Sequence, residues 1–233
     1  MAGDRGIARA ALSAIADLVV PELCGGCGRP GTAWCEGCAR RLSDVPRLLS
    51  PRIDPGVPVW ALARYGGPMA SAVVNLKEHR RRDLAPVLGR LLADGLVAIA
   101  RWGDLPQTSR LALVPAPTRA LAARARGGDT VTAVAGEAAV VLGPGVRVTP
   151  MLVTAAWVRD SAGLTAGARN TNLTGAVRLN RPLPAAMRGR GETAVPAVLV
   201  DDVLTTGATA THAVRRLRSA GARVAAVVVL AGA

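Results

Sequence analysis

The sequence predicts an α/β fold, a parallel sheet flanked by helices, with a small cysteine-rich module ahead of it. Three observations predict this. Short uninterrupted apolar runs (Leu111 to Val114, Ala197 to Val200 and Arg223 to Leu230) recur along the chain. They lack the polar alternation of a sheet with one wet face, so they read as strands buried on both sides. Segments of helical length and spacing separate them. All four cysteines fall between positions 24 and 38, ahead of every such segment.

The elements follow in order. Residues 7–20 form a helix candidate whose apolar face carries Ile7, Leu12, Ile15, Leu18 and Val19, and Pro21 ends it. Residues 21–45 hold the cysteines. Residues 46–58 contain Pro46, Pro51, Pro55 and Pro58 and are expected to be an extended linker, leaving 59–233 as the main domain. Within that domain Val59 to Arg64 is a strand, and Pro68 to Leu76 and Asp83 to Ala100 are helices. Leu111 to Val114 is a strand stopped by Pro115-Ala116-Pro117. Thr130 to Leu142 is a helix, Val146 to Val148 a short strand, and Leu164 to Leu173 a stretch of small and polar residues. Ala197 to Val200 is a buried strand, Thr209 to Ser219 a helix and Arg223 to Leu230 the closing strand.

Composition narrows the function. At 233 residues and 50% hydrophobic content the chain can bury one sizeable core. The apolar stretches are interrupted by charge or too short to span a bilayer, and the N-terminus lacks a signal peptide's apolar run, so a cytoplasmic protein without membrane insertion is expected. The net charge of +13 favours polyanionic partners, phosphorylated metabolites or nucleic acid, although the arginines are spread along the chain. With 2% aromatic residues, the stacking platform of a single-strand binder is missing.

The strongest chemical signal is the run Val198-Leu199-Val200-Asp201-Asp202-Val203-Leu204-Thr205-Thr206-Gly207-Ala208-Thr209. A buried strand leads into two carboxylates, a loop of small and hydroxylic residues, and then a helix. Unpaired N–H groups and the positive dipole end at that helix N-terminus favour a phosphate. Gly207 permits close approach or positive φ, and Thr205, Thr206 and Thr209 add hydroxyls. Asp201 and Asp202 lie at the carboxyl end of the strand, where open α/β sheets bind ligands. Carboxylates there accept from ribose hydroxyls and help anchor Mg2+. A ligand with vicinal hydroxyls at one end and a phosphate at the other fits the whole run. The segment resembles the PRPP-binding motif of type I phosphoribosyltransferases.

Cys24-x2-Cys27-x7-Cys35-x2-Cys38 is the second signal: two knuckles able to place four thiolates around one Zn2+. With every ligand position filled by sulfur, such a zinc is structural. The spacing favours zinc over an iron–sulfur cluster or two redox pairs.

A four-cysteine module, a linker and a C-terminal PRPP motif together resemble the ComF (GntX-like) family of competence-associated phosphoribosyltransferase-like proteins. Tyr65-Gly66-Gly67-Pro68 with Leu76-Lys77 is similar to its early Tyr…Gly…Lys segment, and Val114-Pro115-Ala116-Pro117 with Arg124-Ala125-Arg126-Gly127 to its Pro-Val-Pro…Arg-x-Arg-Gly loop. Arg159 to Leu164, Arg169, Asn170 and Asn172-Leu173 are similar to its Arg…Leu…Arg…Asn-Leu segment. The chain departs from the pattern at Arg126-Gly127-Gly128-Asp129-Thr130, where the family has Arg-Gly-Phe-Asn-Gln, and lacks a Gln between Arg159 and Leu164.

The resemblance implies a type I phosphoribosyltransferase fold that binds PRPP with Mg2+. Asp201 and Asp202 would hold the ribose, Val203 to Thr209 the 5-phosphate, and Arg124, Arg126 and Lys77 the pyrophosphate. Lys77, the sole lysine, lies beside an arginine run and would otherwise read as a surface residue. Two functions follow. One is transfer of 5-phosphoribose to an acceptor with release of pyrophosphate. The other is a non-catalytic protein that binds PRPP and single-stranded DNA during DNA uptake, alongside protein partners of the competence machinery. His79 and His212 have no ligand spacing, and His212 is expected to face solvent or its helix neighbours.

Overall fold

The computed structural model describes residues 22–42, 45–117, 129–154, 177–189 and 193–232. The expected helix at 7–20, Arg124 and Arg126, and the segment from Arg159 to Leu173 lie outside these residues.

The described elements run, in chain order, α1 (Glu36–Arg41), β1 (Arg47–Leu49), β2 (Val59–Arg64), α2 (Gly67–Glu78), a 3-10 turn (Arg82–Leu84), α3 (Ala85–Arg101) and β3 (Leu111–Pro115). They continue with α4 (Thr130–Leu142), β4 (Val146–Val148), β5 (Leu152–Thr154), β6 (Val177–Leu179), a 3-10 turn (Ala185–Met187), β7 (Ala197–Leu204), α5 (Ala208–Ser219) and β8 (Val224–Gly232). Six strands form one sheet in the order β1-β2-β8-β7-β3-β4, parallel except for the antiparallel edge strand β1; β5 and β6 form a separate antiparallel pair.

The continuous apolar runs have the expected cause: the sheet is buried on both faces. Trp60, Leu62, Leu113, Val198, Val200, Val228 and Leu230 face one core, with residues of α2, α3 and α4. Their strand neighbours Val59, Ala61, Ala112, Val114, Leu199, Val227 and Val229 face a second core, with α5, Leu183 and Met187. Because successive strand residues point to opposite faces, a strand with helices on both sides needs an apolar residue at every position.

Two segments differ from expectation. The proline-rich stretch expected to be a linker is extended, but it is also built into the domain: Arg47, Leu48 and Leu49 pair with Ala61, Trp60 and Val59, and the residues after them pack on α5. A three-residue edge strand carries too little pattern to read, and prolines are tolerated at such an edge. The strand expected to stop at Val200 continues to Leu204, because β8 goes on pairing with it at Asp201, Val203 and Leu204. The two carboxylates therefore belong to the end of a strand, which fixes their backbone.

Among the described residues no helix is long and apolar enough to cross a membrane.

Candidate ligand crevice and cysteine cage

Strand order locates the crevice. From β3 the chain passes through α4 to β4 on one side, and from β7 through α5 to β8 on the other. The α4 helix packs on one face of the sheet and α5 on the opposite face. The adjacent pair β3 and β7 is thus a topological switch point, where a crevice opens at the carboxyl ends of the strands. Pairing between them ends at Pro115 and Val200, one residue before Asp201. Both helix N-termini, capped at Asp129 and Gly207, border the crevice.

Three of the predicted side chains meet there. Lys77, in the last turn of α2, places its Nζ 2.6 Å from Asp202 Oδ2. Asp202 Oδ1 accepts from the Val203 N–H at 2.6 Å, and Asp201 Oδ1 from the Asp202 N–H at 2.9 Å. Burial pushes the Asp201 carboxyl up to about 7, and the neighbouring Asp202 charge adds to the shift. The Asp202 N–H and Lys77 oppose it, and Asp129 adds a smaller push upwards. Among the described residues, Lys77 pairs with Asp202, while Asp201 lies close enough to Asp202 and Asp129 to feel both charges.

Asp129 was not singled out by sequence reasoning. It caps α4, accepting from the Val131 N–H at 3.3 Å and from the Thr132 hydroxyl. A polar residue just before an apolar helical run is the available signal. Asn and Asp both serve as N-caps, which explains how the chain can carry Asp129 where the family pattern has Asn.

The phosphate loop leaves β7 at Leu204 and turns at Gly207, whose φ of 86° and ψ of −4° are left-handed. Thr205, Thr206 and Thr209 are exposed, while Gly207 and Ala208 are buried. Three threonine side chains are therefore exposed around the start of α5. The glycine's hydrogen side faces protein: a Cβ there would lie 2.4 Å from the Ile53 carbonyl oxygen and 2.9 Å from Pro51 Cβ. Glycine is required here by the left-handed turn and by this contact.

His212, expected at solvent or among helix neighbours, is 8% exposed. Burial, with help from Arg215, lowers its pKa, and its Nε2 has no hydrogen-bond partner among the described residues. It is a neutral, buried imidazole.

The cysteines form a cage. All four Sγ atoms lie within 4.8 Å of one another, and the contacts Cys24–Cys38 and Cys27–Cys35 are both 3.7 Å. These contacts are far longer than a disulfide's ~2.0 Å and cross between the two knuckles. A tetrahedral ion with ligands at about 2.3 Å would have edges of about 3.8 Å, so the cage is sized for one ion.

Burial would raise the Cys24 thiol, but N–H groups of Cys35, Cys27 and Gly26 outweigh it and bring it down to about 6. The Cys35 thiol is also lowered, chiefly by the Cys38 N–H. Burial pushes Cys38 up, reinforced by the other sulfurs. Without a cation the four thiols cannot all ionise.

The cage docks on the main domain. The Asn75 side-chain amide donates to the Gly25 carbonyl at 2.8 Å, and Arg81 Nη2 to the Leu23 carbonyl at 2.7 Å. Gly25 packs so closely on Leu84 that a Cβ would fall 2.5 Å from its side chain.

Comparison with known proteins gives two results of note. The chain is 30% identical over 229 residues to the DNA utilization protein YhgH of Salmonella typhi, covering 88% of this chain and 94% of that protein. The hypoxanthine phosphoribosyltransferase of Trypanosoma cruzi, solved in complex with the product IMP, aligns at 15% identity with a TM-score of 0.33, over 65% of this chain and 75% of that one. No family model matches the chain.

Proposed function

The chain belongs to the ComF (GntX-like) family and joins a mostly parallel α/β sheet to an N-terminal four-cysteine cluster, and we propose that its fold is that of type I phosphoribosyltransferases and that it binds PRPP with Mg2+ at the switch-point crevice. One observation carries this reading: the paired Asp201 and Asp202 at the end of β7 run directly into exposed threonines and the open N-terminus of α5. The 5-phosphate takes the N–H groups of residues 205–209 and the hydroxyls of Thr205, Thr206 and Thr209. Asp201 and Asp202 accept from the ribose hydroxyls. Lys77 exchanges its contact with Asp202 for pyrophosphate, and Arg124 and Arg126 complete the pyrophosphate grip.

The paired carboxylates suit a hard divalent cation, because oxygen donors are what Mg2+ takes. When bound with PRPP, Mg2+ neutralises charge on the leaving pyrophosphate. The residues' own part is positioning and charge neutralisation. If transfer occurs, the acceptor's nitrogen bonds to the anomeric carbon as the bond to pyrophosphate breaks. Structural Zn2+ is the reading of the cage, on its size and all-sulfur donor set.

Calorimetry with PRPP and Mg2+ tests the site. Asp201→Asn and Asp202→Asn should each weaken binding about ten- to a hundredfold, the equivalent of roughly 1.5–3 kcal/mol per charged contact. Thr206→Ala should be milder, since the backbone donors remain. No wild-type binding at millimolar PRPP overturns the reading. Pyrophosphate release on offering nucleobases or ammonia separates an enzyme from a binder.

A second reading is favoured by the net charge of +13 and by the relative's name: binding of single-stranded DNA in DNA uptake. Affinity should fall steeply with salt as counterion release predicts, with little sequence preference. Salt-independent or absent binding removes this role, together with competence-machinery partners.

A further inference from the structure

The phosphate loop is held from behind by a segment far away in sequence. The Ile53 N–H donates to the Thr206 carbonyl at 2.9 Å, so the tip of the loop is tied by a backbone bond to residues outside the motif. The Ile53 carbonyl accepts from the Thr211 hydroxyl at 3.1 Å, and the same hydroxyl lies 2.9 Å from the Gly207 carbonyl. Thr211 is 1% exposed, and its single hydroxyl proton serves two carbonyls, one on each side of the contact. Farther along, Arg218 Nη2 donates to the Gly56 carbonyl at 3.1 Å, and the Asp54 carboxylate accepts from the Gly56 N–H at 2.7 Å. Thr211 and Arg218 are seven residues apart, two helical turns, so both contacts fall on one stripe of α5. Pro51 and Ile53 close over Gly207 with no room for a Cβ.

We propose that residues 51–56 form a strap that fixes the phosphate loop in its binding conformation, with Thr211 as the positioning residue that fastens it. The assignment rests on the PRPP reading above. Thr206 and Gly207 carry the hydroxyl and the turn that aim the loop at a phosphate. The Thr206 hydroxyl lies only at a long 3.4 Å from the Ala208 N–H. An unbraced loop of small residues would have to be ordered at the moment of binding, at the expense of affinity. The strap does this ordering beforehand. It explains why the threonine at 211 is buried, and why the proline-rich stretch follows one fixed course along α5.

Thr211→Val tests the strap, because valine keeps the shape and removes the hydroxyl. Two measurements separate the strap from the ligand reading. In the ligand-free protein, amide hydrogen exchange should accelerate at Ile53 and at 205–208 in Thr211→Val and stay unchanged in the centre of β7 and β8. Calorimetry with ribose 5-phosphate should show an affinity about three- to tenfold below wild type, the effect of a net hydrogen bond. Thr211→Ser, which retains the hydroxyl, should restore both. Should Thr211→Val not fold, the exposed Arg218→Ala releases the far end of the strap and should show the same pattern more weakly.

A wild type that does not bind ribose 5-phosphate at millimolar concentration overturns the PRPP reading. A wild type that binds, with variants of equal affinity, overturns the strap. Accelerated exchange in β7 and β8 as well would show Thr211 to be a general packing residue and overturn the assignment too.

Discussion

The cysteine cage and the loop after β7 are both small candidate ligand sites built on glycine-containing turns, yet they are organised in opposite ways. The cage is local: its four sulfurs come from positions 24 to 38, and its buried cluster is Cys24, Cys35 and Cys38 with Trp34 packed against it. So small a cluster cannot hold a fold by apolar burial, and on the proposed zinc reading cohesion would fall to the ion. The loop is non-local. It hangs from the parallel pair β7–β8, and its Thr206 carbonyl is tied to the Ile53 N–H, far away in sequence. On the proposed readings, the cage would be organised by its ion and the loop by the rest of the protein.

Removing the metal is the strongest way to break this comparison. Elemental analysis should find about one Zn2+ per chain, and chelation should unfold residues 22–42, with a loss on the order of 10 kcal/mol of metal-coupled folding energy. Cys35→Ser should act in the same direction. The sheet should survive, while the end of α2 loses its contacts through Asn75 and Arg81. Hydrogen exchange read element by element checks this. A cage that keeps its protection without metal, or that holds iron, would mean the two regions are not built as described.

Gly207→Ala is the matching test on the other side. A single methyl adds nothing large to the ligand space, but it meets the Ile53 carbonyl and must adopt a left-handed turn. The turn alone costs roughly 1–2 kcal/mol. PRPP binding should fall at least tenfold, with a lower Tm. Normal binding by this variant would show that the loop is shaped by its ligand after all, as the cage is.

The smallest effect sharpens the electrostatic side of the contrast. The Asp201 carboxyl, pushed up to about 7, titrates well above the roughly 3.9 of an unfolded chain. Between those values the folded state binds more protons than the unfolded one. Ligand-free stability should therefore fall as pH rises from about 4 to about 7, and level off above. Asp201→Asn removes this dependence, so its Tm advantage should be absent near pH 4 and grow to its full size by pH 8. For the same reason wild-type PRPP·Mg2+ affinity should rise with pH through 7, as a proton is released. A Tm advantage that shrinks as pH rises would show the carboxyl to be ionised and well paired.

Both chemical sites were legible in the sequence, for a shared reason. The cysteines and the Asp-Asp…Thr-Thr-Gly run each compress their ligand groups into fewer than about twenty residues, where turn geometry brings them together without help from the fold. Strands buried on both faces were legible too, because double burial demands continuous apolar residues. The edge strand Arg47–Leu49 and the pair β5–β6 were not read as strands.

What the sequence by itself determined, then, is the class of fold, the cage and the acidic phosphate-loop motif. Only the tertiary structure decided that Lys77 reaches Asp202, that Asp129 joins the acids, and that residues 51–56 brace Gly207. Each of these depends on parallel strand order. That order is set by which apolar faces pack across the whole sheet, and a local sequence pattern carries no record of partners more than a hundred residues away.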